Sequence, residues 1–367
     1  MGAAWLPWTL LAADRMLATR RLSWTVALGG CLALMVLGGD PQMAYHAGML
    51  AALLAWLRWR ARQTPSSAPS DAPPTTLPHP TLPRYRHALL LLATAAVVGM
   101  LLSAMQIVPA VAWTRQSERA SFHYPRNLFE IHDYVARPNE YKSLNTRQDG
   151  SELKGARAVR EGLEVKPERA THHAHLYDVS LAQWRDAEFL WPNVSGHMFP
   201  VNQRWLSAMG SEDRIWTPTL YLGIMPLLIA LSTWRLRTSD PHLRWLSLVA
   251  VAALIASFGW YGLGWLASEI QGLWTGNPPT LAIGAPTGGL YWLMVKLLPG
   301  YAYFRYPAKL LVIAALAVAV LAGTGFPHAV TAGRRQASRF VAVVAGGSVL
   351  AAIAFAACGP WWADWFT

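Results

Sequence analysis

Seven apolar runs of 17 to 26 residues divide this 367-residue chain: Leu22–Gly38, Pro41–Leu57, Ala88–Trp113, Thr217–Trp234, Trp245–Leu266, Pro307–Phe326 and Phe340–Cys358. About 20 apolar residues in a helix cross the roughly 30 Å hydrocarbon core of a bilayer. Helical hydrogen bonding satisfies every backbone polar group on the way. Charge is scarce to match: 14% of residues are charged and 53% hydrophobic, where about 25% charged is usual for a soluble domain. Mean hydropathy is +0.24. This composition excludes an ordinary water-soluble globule, and its apolar content excludes a disordered chain. It predicts an all-α polytopic membrane protein with about seven full transmembrane helices, one short N-terminal helix at Ala3–Ala13, and an extracytoplasmic loop domain of about 100 residues.

The net charge of +11 would suit a nucleic-acid binder if it were gathered on one face. It is not. Alternate loops hold 14 arginines (15, 20, 21; 58, 60, 62, 84, 86; 235, 237, 244; 334, 335, 339) against Asp14, Asp71 and Asp240. The long segment Thr114–Ile215 holds 14 basic and 14 acidic residues, and the remaining charges cancel. The whole excess therefore lies on one side, which is the positive-inside pattern. It places residues 60–86, 235–244 and 327–339 in the cytoplasm and 114–215 outside, in a multi-pass arrangement, with the bilayer as partner and no nucleic acid.

The organisation that follows is residues 1–59 as N-terminal membrane helices, 60–86 as a Pro-rich cytoplasmic linker, 87–113 as a transmembrane helix, 114–215 as an extracytoplasmic domain and 216–367 as C-terminal membrane helices. The linker is rich in Pro, Ser and Thr and has no apolar period. Within the outer domain, Ser180 followed by Gln183 has the form of a capping box and predicts a helix over Leu181–Leu190. Gly289–Leu298, closed by Pro299-Gly300, is too short to span and reads as an interfacial or re-entrant helix. Cys31 and Cys358 sit at different depths, so no disulfide is expected.

Polar residues near the outer ends of the spans are the candidates for chemistry. Asp40-Pro41-Gln42 opens a span: Asp suits the N-cap and Pro the first helical turn. With His46 one turn on, Asp40 and Gln42 could instead line a polar cavity, as intramembrane polar groups tend to. Gln106 could bond between helices, and Pro109 is expected to kink its span. Asn193 and His197, from the outer loop, complete the polar-cavity candidates. Arg305-Tyr306-Pro307-Ala308-Lys309 is the sharpest local signal. Pro307 begins a span, so two cations flank a helix N-terminus whose dipole and free amides favour an anion, and a lipid-linked phosphate is expected there. The alternative is that both cations snorkel to headgroups. His172-His173-Ala174-His175 lacks ligands at metal spacing and reads as loop histidines; no metal or cofactor is expected. Serine-hydrolase, P-loop and HExxH signatures are absent from the sequence.

Several strings in order resemble the bacterial YfhO-like membrane protein family of the GT-C glycosyltransferase superfamily. They are Ala4-Trp5-Leu6-Pro7-Trp8, Gly39-Asp40-Pro41-Gln42 (where the family usually has Gly-His-Pro-Gln), Gln106-Ile107-Val108-Pro109 and Trp191-Pro192-Asn193-Val194-Ser195-Gly196. Tyr221-Leu222-Gly223 and Leu298-Pro299-Gly300 follow, then Phe304-Arg305-Tyr306-Pro307-Ala308-Lys309. The resemblance implies a multi-span transferase that uses a polyprenyl-phosphate-linked sugar donor at the outer membrane face. It also implies a catalytic carboxylate in a first outer loop that precedes the Ala-Trp-Leu-Pro-Trp string. The expectation is that this part lies on a missing N-terminal segment or a partner subunit, so no catalytic residue is assigned. Two other readings compete: a non-catalytic membrane scaffold or assembly protein, and an O-antigen-ligase-like transferase using His123, His132, His197 and arginines of the outer loop.

Overall fold

The computed structural model describes residues 2–63, 85–117, 125–136, 175–194, 219–233, 241–276 and 284–332, with short stretches or single positions at 163, 196, 342, 345–350, 352–353 and 357. The architecture is all-α: no strand occurs among the described residues. The chain divides into two compact units, residues 1–122 with 170–172, and residues 123–169 with 173–367.

The first unit is built from α1 (Leu6–Thr19), α2 (Leu22–Leu37), α3 (Pro41–Gln63), α4 (Tyr85–Leu102) and α5 (Ala104–Gln116). Its interior is made of small side chains, with Ala12, Ala13, Ala51, Ala55, Ala88 and Ala95 around Met16, Leu17 and Leu28. Small residues let helix backbones approach closely. The extreme case is α2 against α4, where a methyl on Gly29 would meet the Ala95 carbonyl oxygen at 2.7 Å and Val98 Cβ at 2.8 Å. Asp14 and Arg58 form an ion pair that joins α1 to the later part of α3. Asp40 caps α3 as its sequence predicts, accepting the Met43 amide at 3.2 Å.

The stretch expected as one span, Ala88–Trp113, is instead two helices bent by 80° at Ser103. Pro109 lies inside α5 and is not the break. At the break the Ser103 hydroxyl donates to the Gly99 carbonyl at 2.6 Å, and its backbone sits at φ −100°, ψ 7°. Serine bonding back to the preceding turn competes with helix propagation and bends it.

The second unit contains α6 (Leu128–Ala136), α7 (Ile224–Ser232), α8 (Pro241–Ser257), α9 (Leu263–Thr275), α10 (Leu290–Leu297) and α11 (Leu311–Ala332). A 3-10 turn, Pro307–Leu310, runs into α11, and over Pro307–Pro327 the chain is long and apolar enough to cross a membrane. The bent α4–α5 pair passes the same test when taken together, while Leu22–Leu37 and His242–Ser257 are shorter apolar helices. Of the expected span Thr217–Trp234, the described residues 219–233 become helical at Ile224, just after Gly223 with its left-handed φ of 93°. Gly289–Leu298 is matched closely by α10. The expected helix Leu181–Leu190 is a 3-10 helix, Gln183–Phe189, and Ser180 does not cap it. The Ser180 hydroxyl donates to the Tyr177 carbonyl at 2.6 Å and accepts the Trp260 amide at 2.8 Å. Most of the linker 60–86, and nine of the 19 residues of the run Phe340–Cys358, lie outside the described residues.

The packing of α2 on α4 leads to a direct test. Gly29→Val forces a side chain into backbone and should destabilise the protein by about 1–3 kcal/mol, the usual cost of overpacking. Gly30→Ala has open space around its new methyl and should leave stability unchanged or slightly raised. Thermal unfolding of the two variants in detergent, followed by circular dichroism, separates these outcomes.

Candidate functional site

The charged corner of the second unit begins at Gly300, where φ is 71°. Leu298-Pro299-Gly300 ends α10 and turns the chain into the short 3-10 turn Tyr301–Tyr303. Tyr301 is fully buried, edge-on to Tyr291 at 5.4 Å and to Phe304 at 5.7 Å. Tyr291 in turn meets Tyr177 at 5.8 Å, and Tyr177 meets Trp260 at 6.3 Å. Such edge-to-face pairs fix ring orientation, so the approach to Arg305 is set by a continuous aromatic stack.

Tyr306 then takes φ 80°, ψ 70°, a left-handed conformation costly for a residue with a side chain and more so before a proline. The strain, of order 1–3 kcal/mol, accompanies an arrangement in which two cations lie near one ring. The Arg305 guanidinium carbon lies 5.2 Å from the Tyr306 ring centre and Lys309 Nζ lies 5.6 Å from it. Arg305 is half-buried and Lys309 buried. Arg305 Nε is shielded from solvent and has no hydrogen-bond acceptor among the described residues. The run of free amides expected at this helix start is only partly there. Pro307 has no N–H, and the Lys309 amide donates to the Tyr306 carbonyl at 3.1 Å. The positive character of the corner therefore comes from the two side chains more than from the helix end.

Two internal ion pairs brace the same unit. Arg126 and Glu130 form a bidentate pair with contacts of 2.7 and 3.2 Å. Lys296 Nζ donates to the Arg126 carbonyl at 2.6 Å, and Arg126 stacks 5.2 Å from the Tyr303 ring. Burial pushes the Lys296 ammonium down to about 7, with Glu130 opposing and Arg126 adding to the shift. Arg185 and Glu188 pair twice at 2.9 Å, and Glu188 also accepts the Leu220 amide at 3.2 Å. Sequence reading missed both pairs. Their signal was present as Arg and Glu spaced four and three apart in a segment dense with other charges.

The remaining candidates fall as follows. Asp40, Gln42, His46 and Gln106 belong to the first unit, so they are described apart from the corner. Gln42 and His46 are buried one turn apart on α3, Asp40 is half-buried as the cap, and Gln106 is half-buried on α5. Asn193 is exposed on a turn at φ 60°. His197 lies outside the described residues, as do His172 and His173, while His175 Nδ1 lies 3.0 Å from Asp178.

No family model, curated protein or solved structure matches this chain.

Asp186, on the 3-10 helix Gln183–Phe189, offers a pH test. Burial raises its carboxyl from 3.8 to about 6. The folded state therefore binds the proton more tightly than the unfolded one, so its stabilising contribution is full below about pH 4 and is lost as pH rises through about 6. Asp186→Asn removes this ionisation. The melting temperature of the variant relative to the natural protein should climb between pH 4 and 6 and then level off. A difference that is flat across that window would show that Asp186 is not held in this environment.

Proposed function

We propose that this chain is a multi-pass inner membrane protein of the YfhO-like kind, and that Arg305 and Lys309 bind the phosphate of a polyprenyl-linked sugar at the outer membrane face. It would be the lipid-binding part of a GT-C-type glycosyltransferase. The observation that carries this reading is the corner itself. Two cations converge on one strained tyrosine at the start of the apolar helix Pro307–Pro327, and the Nε–H of Arg305 is held out of water with no acceptor among the described residues. A buried donor without an acceptor costs about 1–3 kcal/mol, and a phosphate oxygen would relieve it.

The membrane reading is supported by where apolar side chains point. On α4 and α5, Leu90, Leu101, Met105 and Trp113 are more than half exposed, as Leu273 and Trp274 are on α9. Buried polar residues lie inside: Gln42 and His46 in one unit, Arg126, Glu130 and Lys296 in the other. The Asp14–Arg58 pair is in keeping with the charge pattern, which puts both residues on the cytoplasmic side.

Two measurements test this. With Cys31 and Cys358 replaced by Ser, single cysteines at Ser66 and Ser151 should label from opposite sides of the membrane in intact cells and inverted vesicles. Labelling from the same side would overturn the topology. For the corner, a short-chain polyprenyl phosphate is titrated into the detergent-purified protein. Charge-assisted hydrogen bonds contribute about 1.5–3 kcal/mol, so Arg305→Ala should bind roughly 10- to 150-fold more weakly at 1.4 kcal/mol per tenfold. Arg305→Lys should also be impaired, because an ammonium cannot reproduce the guanidinium fork. Equal affinity across the three proteins would leave only cations reaching to headgroups.

A further inference from the structure

A cleft of about 480 Å³ lies in the second unit between α7 and α8, with α11 as its floor. Its size falls within the range of about 300–1,000 Å³ usual for small-molecule sites. Both helices lie along α11 and scarcely meet each other. They close on it at one end, where Ala230, Leu243 and Leu321 form one buried cluster. Near that end α7 is seated on α11 so closely that a methyl on Gly325 would meet the Ile229 carbonyl oxygen at 2.9 Å. At the other end Leu220 and Leu311 of the lining pack with Ala308 and Leu181. Leu231 and Val251 of the lining are exposed, so the cleft opens sideways between α7 and α8.

Of the 20 lining residues only Thr219 and Ser247 carry a polar side-chain atom, and none is charged. Both hydroxyls are already used: Thr219 accepts the Tyr221 amide at 3.1 Å, and Ser247 donates to the Leu243 carbonyl at 2.7 Å. Sites for polar ligands place a few convergent polar groups in an apolar lining, and the side chains here offer none. Packed interiors hold few voids larger than a water molecule, and apolar voids stay dry and accept apolar guests. The guest that fits is a hydrocarbon. Its length is set by the floor, which runs ten residues from Leu311 to Leu321, about 15 Å at 1.5 Å per residue. That is half of the roughly 30 Å hydrocarbon core, the depth of one leaflet.

We propose that this cleft takes one acyl chain of an anionic phospholipid of the outer leaflet. An acyl chain ends at the depth of one leaflet, and the cleft ends there too, at Ala230 and Leu321; a polyprenyl chain runs on beyond it. The opening is continuous with the surface that faces lipid in the reading given above. Val251 belongs to an exposed apolar stripe of α8 with Leu248 and Ile255, three and four residues away. A chain therefore enters from the bilayer without crossing water. Charge selects the head. Arg305 and Lys309 lie on the turn that leads into Leu311, and Glu188, which accepts the Leu220 amide, is neutralised by Arg185. The site rests on the membrane reading of this chain, and not on the donor assigned to Arg305 and Lys309.

Photolabelling tests this on the full chain in vesicles of phosphatidylethanolamine and phosphatidylglycerol, with a trace of phosphatidylglycerol that carries a diazirine on one chain. After illumination, peptide mapping should find label on Leu228, Val251 and Val318 in the cleft, as well as on Leu248 and Val320, which are exposed outside it. Ala250→Phe and Ala315→Phe each put a ring into the cleft. Either should abolish the label on Leu228 and Val318 and leave that on Leu248 and Val320 unchanged. Melting curves identify a variant that fails to fold, and the other then decides. Label on Leu248 and Val320 alone would overturn the proposal, showing lipid around the protein and a cleft closed to it. A cleft label that survives both substitutions would overturn it too. So would a cleft label displaced by short-chain polyprenyl phosphate and not by added unlabelled phosphatidylglycerol, since the cleft would then belong to the donor. Absence of label at all five positions would sink the membrane reading and this site with it, whereas label at Leu248 and Val320 keeps that reading standing whatever the cleft shows.

Discussion

The ion pair of Arg126 with Glu130, extended by Lys296, sets the terms for the second unit. Three ionisable side chains lie inside, and removing one partner of a buried pair typically costs about 3–5 kcal/mol because the other charge is stranded. Lys296 reaches the Arg126 carbonyl, so α10 is bound to the chain entering α6. Arg126 lies against Tyr303, which follows the Gly300 turn and precedes Arg305. The route from the internal charges to the corner is therefore short and stiff. A shift of α10 would disturb Glu130, Tyr303 and the aromatic stack together.

The corner shows how a local conflict can be kept. A left-handed tyrosine before a proline is unfavourable by itself, and two cations sharing one ring repel each other. Both persist because the surroundings leave little choice. Tyr301 and Phe304 are fixed by edge-to-face packing, Ala308 is packed with Leu181, Leu220 and Leu311, and the Lys309 amide is tied to the Tyr306 carbonyl. Rigid surroundings of this kind let a site hold its charges in place before an anion arrives.

Much of this was legible in the chain. The helical class followed from the length of the apolar runs, α10 from ten apolar residues closed by Pro-Gly, and the α3 cap from Asp40 before Pro41. Arg305 and Lys309 stood out because both flank Pro307. What was not legible has physical reasons. The break falls at Ser103, a residue type common inside helices, while Pro109, the obvious breaker, was accommodated. Ser180 has the sequence of a capping residue but bonds across to Trp260, a partner 80 residues away that no local pattern reveals. The Arg126 and Arg185 pairs were hidden by the abundance of charge around them. A cavity of about 400 Å³ in the second unit is lined by glycines at 259, 262, 288 and 289, and nothing in the sequence shows that these positions come together.

The close approach of main chain to main chain at Gly262 and Gly264, where a methyl would meet the carbonyl oxygen of Pro286 or Gly284 at 2.3 Å, limits what selection can alter. Wherever two main chains touch, no residue larger than glycine fits, so Gly262 and Gly264 are closed to substitution by sterics alone.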